Sequence, residues 1–113
     1  MIELRLPYPP SVNKAFRNKP GGGRARSKGY NAWRKEACAE ISLQKPGKIS
    51  GPYALHIQAK KPDNRKRDID NLIKPCSDIL VLAGVVRDDA DCMKVSAEWV
   101  ERPRGVVAKL EAL

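Results

Sequence analysis

Four short segments of this chain alternate apolar and polar residues with a period of two, and two longer ones repeat apolar residues every three to four positions. That interleaving of strand-like and helix-like patterns leaves few folds open. Ile2, Leu4 and Leu6 alternate with Glu3 and Arg5, and Pro7 with Pro9-Pro10 ends the run. Tyr53, Leu55, Ile57 and Ala59 read as a second strand, Met93, Val95, Ala97 and Trp99 as a third, and Val106, Ala108 and Leu110 as a fourth. Ser27 can cap a helix that carries Tyr30, Trp33, Ala37 and Ile41 on one face and closes near Pro46-Gly47. Leu72, Cys76, Ile79, Leu80 and Ala83 mark a second helix stopped by Gly84. Pro75 fits it only in the first turn, where a missing N–H costs little.

The order β-α-β-α-β-β predicts an α+β fold: a single small domain with a mixed sheet of about four strands packed by two helices. Each helix is expected to cross over between parallel strands, and Arg102-Pro103-Arg104-Gly105 to close the last two strands as an antiparallel hairpin. Trp33 and Trp99 both sit on apolar periodicities and are assigned to the core. A chain of 113 residues fits one domain. No repeat or linker interrupts it.

No apolar run approaches the roughly 18 residues of a membrane span, and Met1-Ile2-Glu3-Leu4-Arg5 has no signal-peptide character, so a cytoplasmic protein without membrane contact is expected. Cys38, Cys76 and Cys92 are odd in number, far apart and free of CxxC spacing, which predicts reduced core thiols rather than disulfides or a zinc site.

Charge narrows the function further. The chain carries 22 Lys and Arg against 13 Asp and Glu, a net +9. Leu4 to Lys35 holds nine cations and no acid, so the whole excess is local. A one-signed stretch of this kind is a solvated surface or a polyanion footprint, and at this density it points to nucleic acid. Pro20 and Gly21-Gly22-Gly23 break the amphipathic helix that a membrane-surface reading would need. From Ser11 to Arg26 no period survives, which predicts a long, basic, mobile loop. Within it Lys14, Arg17, Arg24 and Arg26 are candidate phosphate contacts, and Phe16, flanked by Lys14 and Arg17, is a candidate for stacking on an unpaired base.

The acids cluster where chemistry would need them. Lys60 to Arg67 contains five cations and leads directly into Asp68-Ile69-Asp70-Asn71. In an extended segment, carboxylates at i and i+2 lie on one side, with Cα atoms about 6.6 Å apart. Asp88-Asp89, followed by Asp91, precedes the third strand and can bring a further carboxylate alongside. Like charges so close repel unless a cation neutralises them, and oxygen ligands with phosphate chemistry point to Mg²⁺. The plainer account makes Asp68, Asp70 or Asn71 a helix cap and Asp88-Asp89 an ordinary turn. His56, the single histidine, has no carboxylate at useful sequence spacing, and no Ser/His/Asp arrangement is expected.

Three motifs together resemble one family. Arg65-Lys66-Arg67-Asp68-Ile69-Asp70-Asn71-Leu72 with Lys74 looks like the signature of the RusA-type Holliday junction resolvases of phages and prophages. Ala83-Gly84-Val85-Val86-Arg87-Asp88-Asp89 resembles that family's second motif, and Leu6-Pro7-Tyr8-Pro9-Pro10-Ser11-Val12-Asn13 its amino-terminal segment. Their order and spacing also match, and the resemblance covers essentially residues 1–113 as one nuclease domain.

The resemblance implies a homodimeric, Mg²⁺-dependent crossover junction endodeoxyribonuclease acting in DNA recombination and repair or in phage DNA processing, with Mn²⁺ as the alternative ion. It implies paired nicks in four-way DNA and no small-molecule cofactor. Asp68, Asp70 and Asp89 match the family's essential carboxylates, Lys74 its essential lysine, Asp88 an accessory acidic position, and Asn13 a substrate contact. The Pro20 to Gly23 insert departs from the family pattern. The residues themselves allow the same mechanism: carboxylates holding metal against the scissile phosphate, Lys74 one turn beyond Asp70 offering a cation, and Arg65, Lys66 and Arg67 holding the backbone. A non-catalytic basic DNA-binding protein is the competing reading. An RNA-binding or ribosomal protein would leave the clustered aspartates idle.

Overall fold

The computed structural model describes residues 1–10, 16–18, 24–26 and 28–113, the two short internal segments by their backbone alone. The elements run β1 (Ile2–Leu6), β2 (Phe16–Asn18), β3 (Arg24–Arg26), α1 (Lys28–Gln44), β4 (Tyr53–Ala59), α2 (Ile73–Leu82), β5 (Cys92–Trp99) and β6 (Val106–Ala112), with 3-10 turns at Ile69–Leu72 and Asp89–Asp91. Within the stretch read as an irregular loop, β2 and β3 form a two-stranded antiparallel ladder that sets Phe16 opposite Arg26 and Asn18 opposite Arg24. Three-residue strands are too short for a period of two to register. Asn13, Lys14 and the Ser27 cap fall outside the described residues.

The predicted helix faces are the buried ones. Tyr30, Trp33, Ala37 and Ile41 of α1 are buried, as are Pro75, Cys76, Ile79 and Leu80 of α2. They pack on the face of the sheet that presents Leu4, Leu6, Leu55, Ile57, Ala108 and Leu110. Pro75 does stand in the first turn of α2. Of the three free cysteines Cys76 is fully buried, while Cys38 and Cys92 are half-buried.

The main sheet has the order β1-β6-β4-β5, with β6 antiparallel to both β1 and β4, and β5 parallel to β4. The expected hairpin between the last two strands is therefore absent. The connection from β5 wraps the end of β4, where Val100 N–H donates to Ala59 O at 2.9 Å and Lys60 N–H to Gly105 O at 3.1 Å. The physical reason lies in the strands themselves. Val106, Val107, Ala108 and Leu110 of β6 are all buried and need neighbours on both sides, whereas β5, with Met93 60% and Val95 42% exposed, tolerates the edge. Trp99 shares that edge; it is half-buried, with the Lys61 ammonium 5.4 Å from its ring centroid, and is not the core residue its periodicity suggested. Gly105 approaches so closely that a Cβ would sit 2.7 Å from Leu6 O.

The other edge, β1, is closed by side chains. Gln44 accepts from Arg5 N–H and donates to Arg5 O, both at 2.7 Å, copying the pairing of a neighbouring strand. Trp33 donates its indole N–H to Pro7 O at 2.9 Å and so ties the segment after β1 to α1.

Candidate active site

Three chain segments meet around the amino-terminal half of α2. The first is residues 60–68, shaped by Asp63. Its Oδ1 accepts from Arg65 N–H at 3.1 Å, and its two oxygens accept from Arg67 Nε and Nη2 at 3.1 and 2.8 Å. Those Arg67 contacts and the Arg65 amide hold the Asp63 carboxyl down at about 2. The Pro62-Asp63-Asn64 sequence carried a turn signal, but the use of Arg67 as its partner was not visible there. Arg67 also stands 5.5 Å from the Tyr8 ring centroid, which couples this segment to the one after β1.

Next comes the 3-10 turn. Asp68 has an extended backbone at its start and makes no side-chain cap bond. Asp70 is inside the turn, whose three-residue repeat ends the strand-like i, i+2 geometry expected of the pair. Both residues are exposed, and among the described residues neither carboxylate accepts a hydrogen bond or ion pair. Three nearby cations are engaged elsewhere: Arg67 with Asp63, Lys74 with Asp78, and Arg87 with Asp91.

The third segment is delivered by Gly84. With φ at 76° it ends α2 in a reversed turn, Val85 N–H donating to Leu80 O at 2.9 Å and Gly84 N–H to Val81 O at 3.0 Å. Val85 and Val86 then enter the core, and Asp88 to Asp91 return beside the helix. Asp88 caps the second 3-10 turn by accepting from Ala90 N–H at 2.9 Å. That bond, with contacts to Asp89 and Arg87, lowers its carboxyl pKa. The plain capping role thus belongs to Asp88 and not to Asp68.

Lys74 joins the second and third segments. Its ammonium donates to Asp78 Oδ1 at 3.1 Å; that bond raises its pKa, and the charge of Asp89 adds to the effect. Near Cys92 and within reach of the charge of Asp89, the Tyr53 hydroxyl is buried without a geometrically satisfied hydrogen bond among the described residues. Burial pushes it up to about 12, with contributions from Cys92, Asp89 and Asp91. The donor chemistry of these segments suits a hard cation: carboxylate oxygens, those of Asp68 and Asp70 exposed and unpartnered among the described residues. Among the described residues, however, no three carboxylate, thiol or imidazole groups stand together as a ready ligand set.

A model of the RusA endodeoxyribonuclease family matches residues 7–111, which contain all three of these segments. The chain belongs to the RusA family. The crossover junction endodeoxyribonuclease RusA of Escherichia coli K12 is 37% identical over 94 residues, covering 77% of this chain and 72% of its own length. The enzyme of the same name from Enterobacteria phage 82 is 36% identical over 89 residues. That of Escherichia coli O139:H28 is 36% identical over 115 residues and spans 96% of this chain and 88% of its own. The RusA match takes in β4, β5 and nearly all of β6 with the acidic segments, and begins just after β1.

The side chains of Phe16, Arg17, Arg24 and Arg26 lie outside the described set. Arg65 and Lys66 are exposed, Arg65 within 3.9 Å of Asp63. No helix among the described residues is long and apolar enough to cross a membrane. One expectation is overturned. His56 does have a carboxylate: its Nε2 meets Glu98 Oε2 and its Nδ1 meets Ser96 Oγ at 2.6 Å, because β4 and β5 pair His56 with Ser96 and Gln58 with Glu98. The His56 contact lowers the Glu98 pKa. The trio lies on a sheet face whose backbone N–H groups point along the sheet rather than out of it, so the strands offer it no backbone oxyanion donors.

Proposed function

We propose that this chain is a structure-specific endonuclease that resolves four-way DNA junctions by paired nicks, dependent on Mg²⁺ with Mn²⁺ as substitute. The observation that carries the reading is the pattern of pairing around the acids. Asp63, Asp78 and Asp91 take up Arg67, Lys74 and Arg87, leaving Asp68 and Asp70 exposed and without a partner among the described residues, on the segment that leads into the helix carrying Lys74, whose ammonium feels the charge of Asp89. Exposed and free of a protein cation, these carboxylates remain available to a metal ion. Its relatives are named crossover junction endodeoxyribonucleases, which supports the same substrate.

Asp68, Asp70 and Asp89 would hold the metal, with Asp88 beside them. The bound ion would supply an activated water and stabilise charge on the leaving oxygen. Lys74 would offer its ammonium to a phosphate oxygen, exchanging Asp78 for the substrate. Lys66 and Arg65 are free enough to meet the DNA backbone, while Arg67 braces the loop through Asp63. Lys14, Arg17, Arg24, Arg26, Asn13 and Phe16, in or beside the β2–β3 ribbon, would contact the arms of the junction. Two related nicks need two sites, and a homodimer supplies them. The unpaired outer edge of β5, with Met93 and Val95 exposed, supports such assembly.

The decisive experiment incubates a labelled four-way junction and a matched duplex with the protein, with and without Mg²⁺. Paired, metal-dependent nicks in the junction alone are expected. Tight binding without nicks would select a non-catalytic DNA-binding protein, and light scattering showing only monomer with and without junction would remove the dimer.

A further inference from the structure

Beside Asp68 a cavity of about 280 Å³ opens between two chain segments that are far apart in sequence. Tyr8, Pro9 and Pro10 form one wall, and Lys66, Asp68 and Asn71 the other. The first wall is rigid. Prolines have fixed φ and little side-chain freedom. Pro9 is buried, and Tyr8 is held by the Arg67 guanidinium, itself gripped by two hydrogen bonds to Asp63. Burial pushes the Tyr8 phenol up, an effect that Arg67 partly offsets. The second wall is polar. Asn71 is half-buried; its backbone N–H donates to Asp68 O at 3.2 Å, and its side-chain amide has no hydrogen-bond partner among the described residues.

The chemistry of the two walls selects the occupant. Asp68 at the rim weighs against an anion and Arg67 is already neutralised by Asp63, which leaves Lys66, exposed on a long flexible stem, as the one unpaired cation among the described lining residues. A flat group with an apolar face and a hydrogen-bonding edge fits both sides at once: the face against Tyr8 and the prolines, the edge against the Asn71 amide. Among the parts of a nucleic acid, only the base has that shape.

We propose that this cavity receives the nucleobase next to the phosphate being cut, and that Asn71 reads its edge and so sets the base preference of cleavage. This deepens the endonuclease reading and rests on it. Asp68 belongs to both the cavity and the carboxylate group, so a base lodged here is attached to a nucleotide adjoining that phosphate. Junction crossovers interrupt base stacking, which makes extrusion of a base cheapest there. An Asn amide offers a donor and an acceptor side by side, a pattern that matches some base edges and leaves others unpaired.

The test is cleavage of a pool of four-way junctions with randomised bases at the crossover, reading every cut position by sequencing. The wild-type chain is expected to favour one base beside the cut. Asn71→Ala is expected to flatten that ratio by roughly tenfold, the size of one good amide-to-base contact. The ratio among bases is independent of total rate. A second measurement needs no cleavage: in the Asp70→Asn background, 2-aminopurine beside the scissile position should be quenched on binding, and Tyr8→Leu should abolish the quenching. An unchanged base ratio in Asn71→Ala, equal quenching with Tyr8→Leu, or a wild-type enzyme that cuts junctions without base preference would each overturn the pocket assignment. Failure of the wild-type chain to cut any junction would instead overturn the endonuclease reading, and the pocket with it.

Discussion

Lys74 donates to Asp78, one turn further along α2, and not to Asp70, one turn behind it. The lysine that the sequence placed beside the acids is therefore held by a carboxylate on its far side, with Asp70 left open. A charged pair on a helix surface is worth only about 0.3–0.5 kcal/mol, so substrate phosphate can displace it at little cost.

Replacing Asp78 with Asn tests this exchange. The ammonium of Lys74 is raised chiefly by Asp78, so losing that charge should return its pKa toward the ordinary value. The alkaline limb of a pH–rate profile for junction cleavage should then move to lower pH, with cleavage retained near neutrality. Lys74→Ala should instead lower cleavage at every pH. An alkaline limb unmoved by Asp78→Asn would show that Lys74 does not set it.

Asp70→Asn keeps the size of the side chain and removes its charge. Cleavage should fall by at least about 10²-fold, while junction binding in a gel-shift assay persists or tightens as phosphate repulsion is relieved. Wild-type cutting rates in this variant would defeat the assignment of Asp70.

If Lys14, Arg17, Arg24 and Arg26 meet phosphates, neutralising each should flatten the slope of log affinity against log salt by up to about 0.9 on duplex arms. Titrations across a salt series measure it directly. An unchanged slope would make the β2–β3 ribbon a solvated surface.

Stability should fall in alkali. Burial pushes the Cys76 thiol from 9.0 up to about 12, and the Tyr53 phenol from 10.0 up to about 12. Both are neutral in the folded chain, so their contribution is complete below the unfolded values and is lost as pH rises toward 12. The thermal midpoint should decline progressively above about pH 9, and less steeply in Cys76→Ala. A midpoint flat from pH 8 to 11 would contradict the burial of these groups.

Gly105→Ala should destabilise the fold by about 1–3 kcal/mol, combining a φ of 78° with a Cβ 2.7 Å from Leu6 O. Urea unfolding measures it; a loss below about 0.5 kcal/mol would mean that the Leu6 to Gly105 approach relaxes freely.

The four longer strands, the two helices and their inward faces are legible in the chain alone, because each rests on periodicity within one segment. Tyr30, Trp33, Ala37 and Ile41 share a face by helical geometry alone, and Gly84 stops α2 by its own backbone freedom. The acidic motifs were legible for the same reason, as residues adjacent in the chain. Tertiary structure decided everything that depends on which segments become neighbours. Alternation in β6 cannot tell a hairpin partner of β5 from a central strand; the burial of Val106 to Leu110 against both β1 and β4 does. The parallel register of β4 and β5 brought Ser96 and Glu98 to His56, forty and forty-two residues away. Tyr8 met Arg67 through the docking of the segment after β1, forming the cavity beside Asp68. Contacts of this kind arise from packing between distant elements, a cooperative property of the whole core that no local pattern encodes.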